Sequence, residues 1–156
     1  KKKIYGLKGQ ATAFAKVGTY AEANVGDVIL DAVAQAKKNG YVANVAIVSF
    51  ETEAELKGIK DKNGNYIYNQ LTGMFGPVRI LPSASIGEAE ILVADSRCAK
   101  VLRRPSIEVE ITRDADLDGW KVNVRKSAQT KVKTAHKGGL IYVADKAAAI
   151  TAIAKA

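Results

Sequence analysis

Glu90-Ile-Leu-Val-Ala-Asp95 is one of four short strand-like runs that decide the fold of this chain. The other three are Val45-Ala-Ile-Val-Ser49, Tyr66-Ile-Tyr68 and Val78-Arg-Ile-Leu81. The runs are rich in β-branched and aromatic residues, and turn-forming Gly, Pro, Asn and Ser residues separate them, which is the pattern of strands. No catalytic motif accompanies them. The region therefore predicts a small sheet that gives the molecule its shape.

Helices are predicted on both sides of these strands. Apolar residues recur at helical spacing after Asp27, a candidate N-cap, and Lys37-Lys38-Asn39-Gly40 supplies a basic last turn and a glycine stop. A short helix with acidic residues in its first turn is predicted over residues 52–57. Asp145 is expected to cap an alanine-rich helix that reaches the end of the chain. Residues 4–24, broken by glycines, predict a loop or a loosely ordered lead-in.

A hairpin is predicted in the second half of the chain. Apolar and polar residues alternate over residues 106–112 and 120–124, on either side of the turn-forming connector Arg113-Asp-Ala-Asp-Leu-Asp-Gly119. A third extended run is expected over residues 128–136. The last strand is predicted at Leu140-Ile-Tyr-Val143.

Composition limits the class of protein. The 156 residues suffice for one compact core, and no window is long and apolar enough for a membrane span or a signal peptide. A single cysteine, Cys98, excludes an intramolecular disulfide and fits a reducing compartment, and we expect it to be buried or half-buried. The chain starts at Lys1 without an initiator Met, which suggests a piece of something longer. A net charge of +8 favours contact with polyanions or with an acidic neighbour.

Two acidic segments resemble calcium loops but are better interpreted as turns. Residues 114–119 match the first six positions of such a loop, yet Arg125 stands where the bidentate glutamate belongs, and the flanks are strands. In Asp61-Lys-Asn-Gly-Asn65 the glycine comes two places too early. His136 has no second histidine and no nearby cysteine, so we expect a surface or strand-end residue and no metal site. Common nucleotide-binding and hydrolase motifs are absent, and we predict no cofactor and no small-molecule substrate.

The basic strands between residues 120 and 137 are candidates for contact with a polyanion. Several lysines and arginines on one ribbon would contact phosphates without reading sequence, although an ordinary solvated face explains them equally simply. Only Trp120 could add base stacking. The candidates are Lys121, Arg125, Lys126, Lys131 and Lys133. Other basic stretches are Lys1 to Lys3 and Arg103-Arg104.

The order of the motifs resembles the major capsid proteins of tailed bacteriophages of the Hong Kong 97 type. Over roughly residues 24–144 the same order runs from the first helix, through the strands and turns around Asn63-Gly64-Asn65 and Gly76-Pro77, to Ile107-Glu-Val-Glu-Ile111, Trp120-Lys-Val-Asn-Val124 and the last strand. The fold class predicted is α/β (α+β), with a small central mixed sheet flanked by helices and a protruding antiparallel hairpin.

The resemblance also implies a domain organisation. Residues 1–24 would be a lead-in segment, residues 25–105 and 138–156 a core like the capsid axial domain, and residues 106–137 strands of a partial peripheral domain. The N-terminal arm, extended loop and spine helix of such subunits have no counterpart in the sequence, so the chain resembles the C-terminal half. Some family members crosslink their subunits, but Ser127-Ala-Gln-Thr-Lys131 lacks the required glutamate, although Asn123 lies near the expected asparagine. We therefore predict no such chemistry.

The function implied is that of a shell subunit without enzymatic activity. Its partners would be other copies of itself, in pentamers and hexamers, and packaged DNA through non-specific contact, with no membrane. It would be made in the cytoplasm of a bacterial host and reside in the virion. Candidate subunit contacts are Leu71, Met74 and Phe75, although these could equally cover the local core. Two alternatives are a free-standing basic nucleic-acid-binding domain and the shell protein of an encapsulin nanocompartment.

Overall fold

The computed structural model describes residues 6–103, 106–114, 116 and 118–155. Lys1 to Lys3 and Arg104, expected to be basic surface residues, lie outside this part of the chain. The helices are α1 (Val25–Lys38), α2 (Phe50–Gly58) and α3 (Lys146–Ile153). The strands are β1 (Thr12–Ala13), β2 (Val45–Val48), β3 (Met74–Phe75), β4 (Val78–Pro82), β5 (Ile91–Ala94), β6 (Ala99–Arg103), β7 (Glu108–Asp114), β8 (Gly119–Arg125), β9 (Ala128–Val132) and β10 (Leu140–Val143).

Six of the strands form one mixed sheet in the order β1-β10-β5-β2-β4-β3. The pairs β1/β10 and β2/β4 are parallel, and the other three are antiparallel. Side chains of alternate strand residues, such as Ala46 and Val48 in β2, point to the face where the three helices contribute to the main core cluster. This arrangement confirms the predicted fold class.

A capping box begins α1 one turn earlier than the sequence predicted. The side chain of Asn24 accepts a hydrogen bond from the backbone N–H of Asp27, and the Asp27 carboxylate accepts one from the backbone N–H of Asn24. The N-cap is therefore Asn24, and Asp27, predicted for that role, is the third helical residue. The helix ends as expected at a glycine with positive φ, since Gly40 has φ +83°.

The segment before α1 is fixed to that helix, although the sequence predicted a loose lead-in. Asp31, fully buried, accepts hydrogen bonds from the backbone N–H groups of Val17 at 2.9 Å and Gly18 at 2.6 Å. Gln35 bonds to the backbone of Ala13 and Ala15 at 3.0 and 2.9 Å. Two polar side chains on the inner face of α1 thus hold β1 beside β10, a role that helical periodicity does not reveal.

Four local predictions differ from the structure. Tyr66-Ile-Tyr68 forms a loop and not a strand of the sheet. Its backbone hydrogen bonds go to residues nearby in the chain, including one isolated bridge between Tyr66 and Lys60. The predicted extended run over residues 128–136 stops at Val132 and continues as a 3-10 helix, Thr134–Gly139. The second helix starts two residues earlier, because Ser49 caps it. The last helix begins after Asp145 as predicted, but it ends at Ile153.

Two further two-stranded ribbons stand apart from the main sheet. The predicted hairpin is present, with β7 and β8 paired from Glu108 opposite Arg125 to Asp114 opposite Gly119. The other ribbon pairs β9 with β6, a strand that the sequence did not predict. Along the chain β6 precedes β7 and β8 precedes β9, so both strands of the hairpin are joined in sequence to the β6/β9 ribbon. In the described residues, no helix is both long enough and apolar enough to cross a bilayer.

Candidate subunit-contact surfaces

The loop between α2 and β4 presents one apolar side chain entirely to solvent. The Asn69 side chain accepts hydrogen bonds from the backbone N–H groups of Leu71 at 3.1 Å and Thr72 at 3.3 Å, which folds residues 69–72 into a tight turn. Gly73, at φ +66°, allows the chain to return. Leu71 is 98% exposed at the tip of this turn.

The other two predicted contact residues of this loop have different environments. Met74 is 38% exposed, whereas Phe75 is 4% exposed and belongs to the main core cluster. The ring of Phe75 lies over Gly26 in the first turn of α1. Phe75 therefore covers the local core, which is the alternative that the sequence left open for these residues. It anchors the loop, and Leu71 and Met74 remain candidates.

The β7/β8 hairpin has two faces of opposite character. Because side chains alternate along each strand, Glu108, Glu110, Lys121 and Arg125 share one face, where Arg125 approaches Glu110 at 3.7 Å. The other face is apolar and is between 55% and 71% exposed along its length. Its apolar residues are Val109, Ile111, Trp120, Val122 and Val124, and Arg113, opposite Trp120, adds one charge at the turn end.

The five predicted polyanion-contact residues do not form one surface. Lys121 and Arg125 lie on the hairpin face that also carries glutamates. Lys126 lies between the ribbons, and Lys131 is in β9, with Lys133 just after it. The structure therefore brings together Lys131 and Lys133 but separates them from the hairpin pair.

Two basic residues that the sequence analysis did not select join the lysines of β9. Lys100 in β6 is directly opposite Lys131, and Arg97 lies in the turn before β6. Arg97, Lys100, Leu102, Lys131, Lys133 and His136 are among the residues that line one cleft of about 330 Å³. The adjacent Val101 and Leu102 were the available signal for a strand, but the register with β9 was not predictable from them.

The acidic segments are turns, as predicted. The Asp61 carboxylate accepts hydrogen bonds from the backbone N–H groups of Asn63 and Asn65, and the backbone bond from Asn65 is the main cause that lowers the pKa of Asp61. In the hairpin turn, the backbone N–H of Asp116 donates to Asp114 at 3.2 Å, and Asp118 adopts φ +43°. Among the described residues, no three His, Cys, Asp or Glu side chains are grouped to hold a metal ion.

His136 and Cys98 both line the cleft. His136 is half-buried in the 3-10 helix after β9, with its Nδ1 3.4 Å from the hydroxyl of Tyr41. Cys98 is 4% exposed, as predicted, and burial raises the pKa of its thiol. A buried thiol with a raised pKa is a poor nucleophile, so the pair offers no catalytic dyad.

Two carboxylates are strongly stabilised in their charged form. Arg97 donates through Nε at 3.1 Å and through its terminal nitrogen at 2.7 Å to the buried carboxylate of Asp95, which lowers the pKa of Asp95 to about 2. Hydrogen bonds from Lys8, from the Tyr142 hydroxyl at 2.7 Å and from the backbone of Gly87 lower the pKa of Glu90 to about 2. The bonds to Glu90 join distant segments of the chain, whereas the Asp95–Arg97 pair closes a local turn. Both arrangements resemble structural ion pairs more than catalytic acids.

Known structures with this arrangement of helices, sheet and ribbons are capsid proteins. The chain is similar to a structure from Mycobacterium phage Che8 (17% identity, TM-score 0.64, 90% of this chain and 55% of that one). It is similar to the capsid of an empty GTA particle (16% identity, TM-score 0.66, 90% of this chain and 54% of that one). It is also similar to a virus-like particle from Pyrococcus furiosus (14% identity, TM-score 0.54, 82% of this chain and 55% of that one). The fold is therefore that of capsid proteins, and the chain spans about half the length of these structures.

The family follows from the sequence match. Residues 1–152 match the phage capsid family, so the chain belongs to that family. No curated protein matches it significantly. Membership confirms the resemblance on which the fold was predicted, and it does not favour an encapsulin-type shell.

Proposed function

We propose that this protein is a structural subunit of a bacteriophage or prophage capsid, which associates with copies of itself in rings of five or six and then in a closed shell. The observation that carries the proposal is the phage capsid family match over residues 1–152. The part of the chain that the structure describes holds no group of three side chains that could bind a metal ion, which fits a structural role.

The exposed ribbons support association with other protein surfaces. An isolated two-stranded hairpin is marginally stable in water, and an apolar face of the size found on β7/β8 is unusual for a protein that stays monomeric. Trp120 alone leaves 71% of its surface in solvent. In a shell, such a surface is buried between protein layers, and the burial of apolar area contributes to assembly.

Leu71 and Met74 are our proposed contacts around the ring axis. A leucine that is 98% exposed at the tip of a well-ordered turn gains about 2 kcal/mol when a neighbour buries it. The turn is held by Asn69 from within and by Phe75 from the core, so little entropy is lost on contact.

The domain organisation is part of the same proposal. Residues 25–105 and 138–156 would correspond to an axial domain, residues 106–137 to strands of a peripheral domain, and residues 1–24 to a lead-in. Five strands of the six-stranded sheet lie in the proposed axial domain, and β1 lies in the lead-in. The β7/β8 hairpin lies in the proposed peripheral domain.

Contact with packaged DNA would be secondary and non-specific. Lys121, Arg125, Lys126, Lys131 and Lys133 remain the proposed contacts, within a chain of net charge +8. Their division between two ribbons, with glutamates beside Lys121 and Arg125, favours weak electrostatic contact over a dedicated nucleic-acid-binding domain. Synthesis in the cytoplasm of a bacterial host and residence in the virion follow from the proposed role.

Electron microscopy of the full-length protein, expressed alone, tests the proposal. We expect rings or closed shells, with sedimentation far faster than that of a monomer. A protein that stays monomeric at all concentrations and salt conditions would overturn the capsid function. Filter binding to DNA across a salt series tests the alternative, because a free-standing nucleic-acid-binding domain would bind strongly and with a steep salt dependence.

A further inference from the structure

A cluster of like charges lies in the cleft of the β6/β9 ribbon. Lys100 and Lys131 occupy directly opposite positions, and Lys133 lines the same cleft. Like charges placed opposite each other destabilise a strand pair. No carboxylate lines this cleft, and none of the three lysines forms an ion pair with another described residue. The fourth cation, Arg97, is already bound to Asp95. The cleft therefore favours a negatively charged partner from outside the chain.

The hairpin turn carries the complementary charge. Asp114, Asp116 and Asp118 are grouped at the end of the ribbon, and only Asp118 is paired, with Arg113 at 3.1 Å. Asp118 is also 90% exposed, so this pair is weak. We call this group the acidic tip.

Each surface also offers an apolar side chain beside its charges. Trp120, the second residue of β8, is 71% exposed at the turn end of the hairpin, opposite Arg113 and on the other face from Asp114. Leu102, in the cleft, is 51% exposed next to Lys100. A contact between the two surfaces would bury an aromatic and an aliphatic side chain along with the ion pairs, which is the usual composition of an interface centre and its rim.

The acidic tip lies at the end of the hairpin away from its connections to the β6/β9 ribbon. Six residue steps separate Glu108 from Asp114 in β7. At about 3.4 Å per residue, the paired strands hold the tip roughly 20 Å beyond the start of the hairpin. None of the three lysines of the cleft forms an ion pair with an aspartate of this tip, so both surfaces are available to another molecule.

We propose that the acidic tip of one copy docks in the lysine cleft of a neighbouring copy. The proposal rests on the proposed shell function, in which different patches of identical chains meet and the contact repeats from copy to copy. Asp114 and Asp116 of one copy pair with Lys100, Lys131 and Lys133 of the next, and Trp120 packs on Leu102. The ion pairs select the partner and its orientation, while the apolar contact supplies most of the affinity.

A charge exchange in the full-length protein tests the contact. The cleft variant is Lys100→Glu with Lys131→Glu, and the tip variant is Asp114→Lys with Asp116→Lys. We expect each to reduce the yield of assembled particles about tenfold, measured by sedimentation, and the combined variant to recover most of it. The control Lys37→Glu with Lys38→Glu makes the same charge change at the end of α1 and should assemble like the unaltered protein.

Two outcomes would overturn the proposal. One is a cleft variant or a tip variant that assembles normally, and the other is a combined variant that recovers no assembly. If wild-type protein forms no rings or shells, the proposed function fails with it; if wild-type particles form but the exchange does not restore them, only this contact fails. Circular dichroism identifies variants that do not fold.

A second measurement does not depend on variants. Carbodiimide joins carboxylates and lysines that are in direct contact. The wild-type particles are assembled from a mixture of isotope-labelled and unlabelled copies, and mass spectrometry should find Asp116 of one copy joined to Lys131 of another. Its absence in well-formed particles would contradict the proposal. So would a cleft variant that assembles normally but loses salt-dependent binding to a DNA duplex, because the cleft would then be a phosphate site.

Discussion

The ring of Phe75 lies directly over the backbone of Gly26, and this contact joins the exposed 69–75 loop to the first turn of α1. A Cβ atom at residue 26 would overlap the Cζ atom of Phe75 and lie 2.8 Å from its Cε1 atom. The aromatic side chain is 4% exposed and packs in the main core cluster. The close approach explains why a glycine stands in the first turn of a helix, where it is otherwise unfavourable.

Gly26→Ala should therefore destabilise the protein, although alanine is the better helix former. Overpacking in a well-packed core costs about 1–3 kcal/mol, and the gain in helix propensity is about 1 kcal/mol at most. Urea unfolding followed by circular dichroism measures the difference. Gly58→Ala is the matched control, because no atom lies within 4 Å of a Cβ at that helical position. A Gly26→Ala protein as stable as the control would contradict the packing argument.

Leu71 and Phe75 should separate assembly from stability. Leu71→Asp removes a side chain that is 98% exposed, so the free energy of unfolding should change by less than about 0.5 kcal/mol while ring and shell formation is lost. Phe75→Ala should instead cost about 3–5 kcal/mol, because it empties a core site. Electron microscopy and denaturant unfolding on the same preparations provide both readouts. Normal shells from Leu71→Asp would exclude this residue as a contact.

Asn24 should contribute to stability through its cap. Asn24→Ala removes the acceptor for the Asp27 backbone N–H and should destabilise the protein by about 1 kcal/mol. Asn24→Ser keeps a capping oxygen and should stay within a few tenths of a kcal/mol of the unaltered protein. Thermal unfolding of the three proteins measures the order. If alanine and serine give equal losses, the effect comes from another contact of Asn24 and not from the cap.

The parts of the fold that could be predicted are those whose signal is local. The alternation in β7 and β8 predicted the hairpin, and the apolar runs of β2, β4 and β5 predicted strands of the sheet. Tyr66-Ile-Tyr68 has the same β propensity, but propensity cannot tell whether a neighbouring strand is present to pair with. The N-cap of α1 could also have been predicted, since Asn24 and Asp27 have the spacing of a capping box. Asp27 was predicted instead because it directly precedes the apolar helical pattern.

The cleft depends on contacts between distant residues. Lys100 and Lys131 are brought together by the register of β6 with β9, which pairs residues about thirty positions apart. A slip of one residue would have placed the lysines on opposite faces of the ribbon. Sequence could therefore indicate that residues 121–137 are basic, but it could not identify which of those lysines share a site with Lys100.

Acid should weaken the fold through Asp95. Its pKa in the folded protein, about 2, lies below the value near 3.9 of an unfolded chain, because Arg97 stabilises the charged form. The resulting stability is fully present above the unfolded pKa and is lost as pH falls from about 5 towards 2. Asp95→Asn should lower the free energy of unfolding by about 1–3 kcal/mol at pH 7. Between about pH 5 and pH 2, the free energy of unfolding of this variant should fall less than that of the wild-type protein. Urea unfolding at several pH values tests this, with the exposed Glu22→Gln as control. Parallel pH curves for Asp95→Asn and wild-type protein would contradict the assignment.

Cys98 should react with thiol reagents only when the protein opens. It is 4% exposed, burial raises the pKa of its thiol, and a Cβ at the neighbouring Gly139 would overlap its sulfur, so little of the thiol is accessible from the clefts that Cys98 lines. Because the thiolate is the reactive form, both burial and the raised pKa slow the reaction. Native protein should therefore react about a hundredfold or more slowly than protein in urea, at a rate set by local opening. Leu71→Cys supplies a matched control in the same molecule, since its thiol at the loop tip should react at once while Cys98 does not. Rapid labelling of both thiols in the folded protein would show that the β6/β9 ribbon and the residues beneath it open far more readily than their packing indicates.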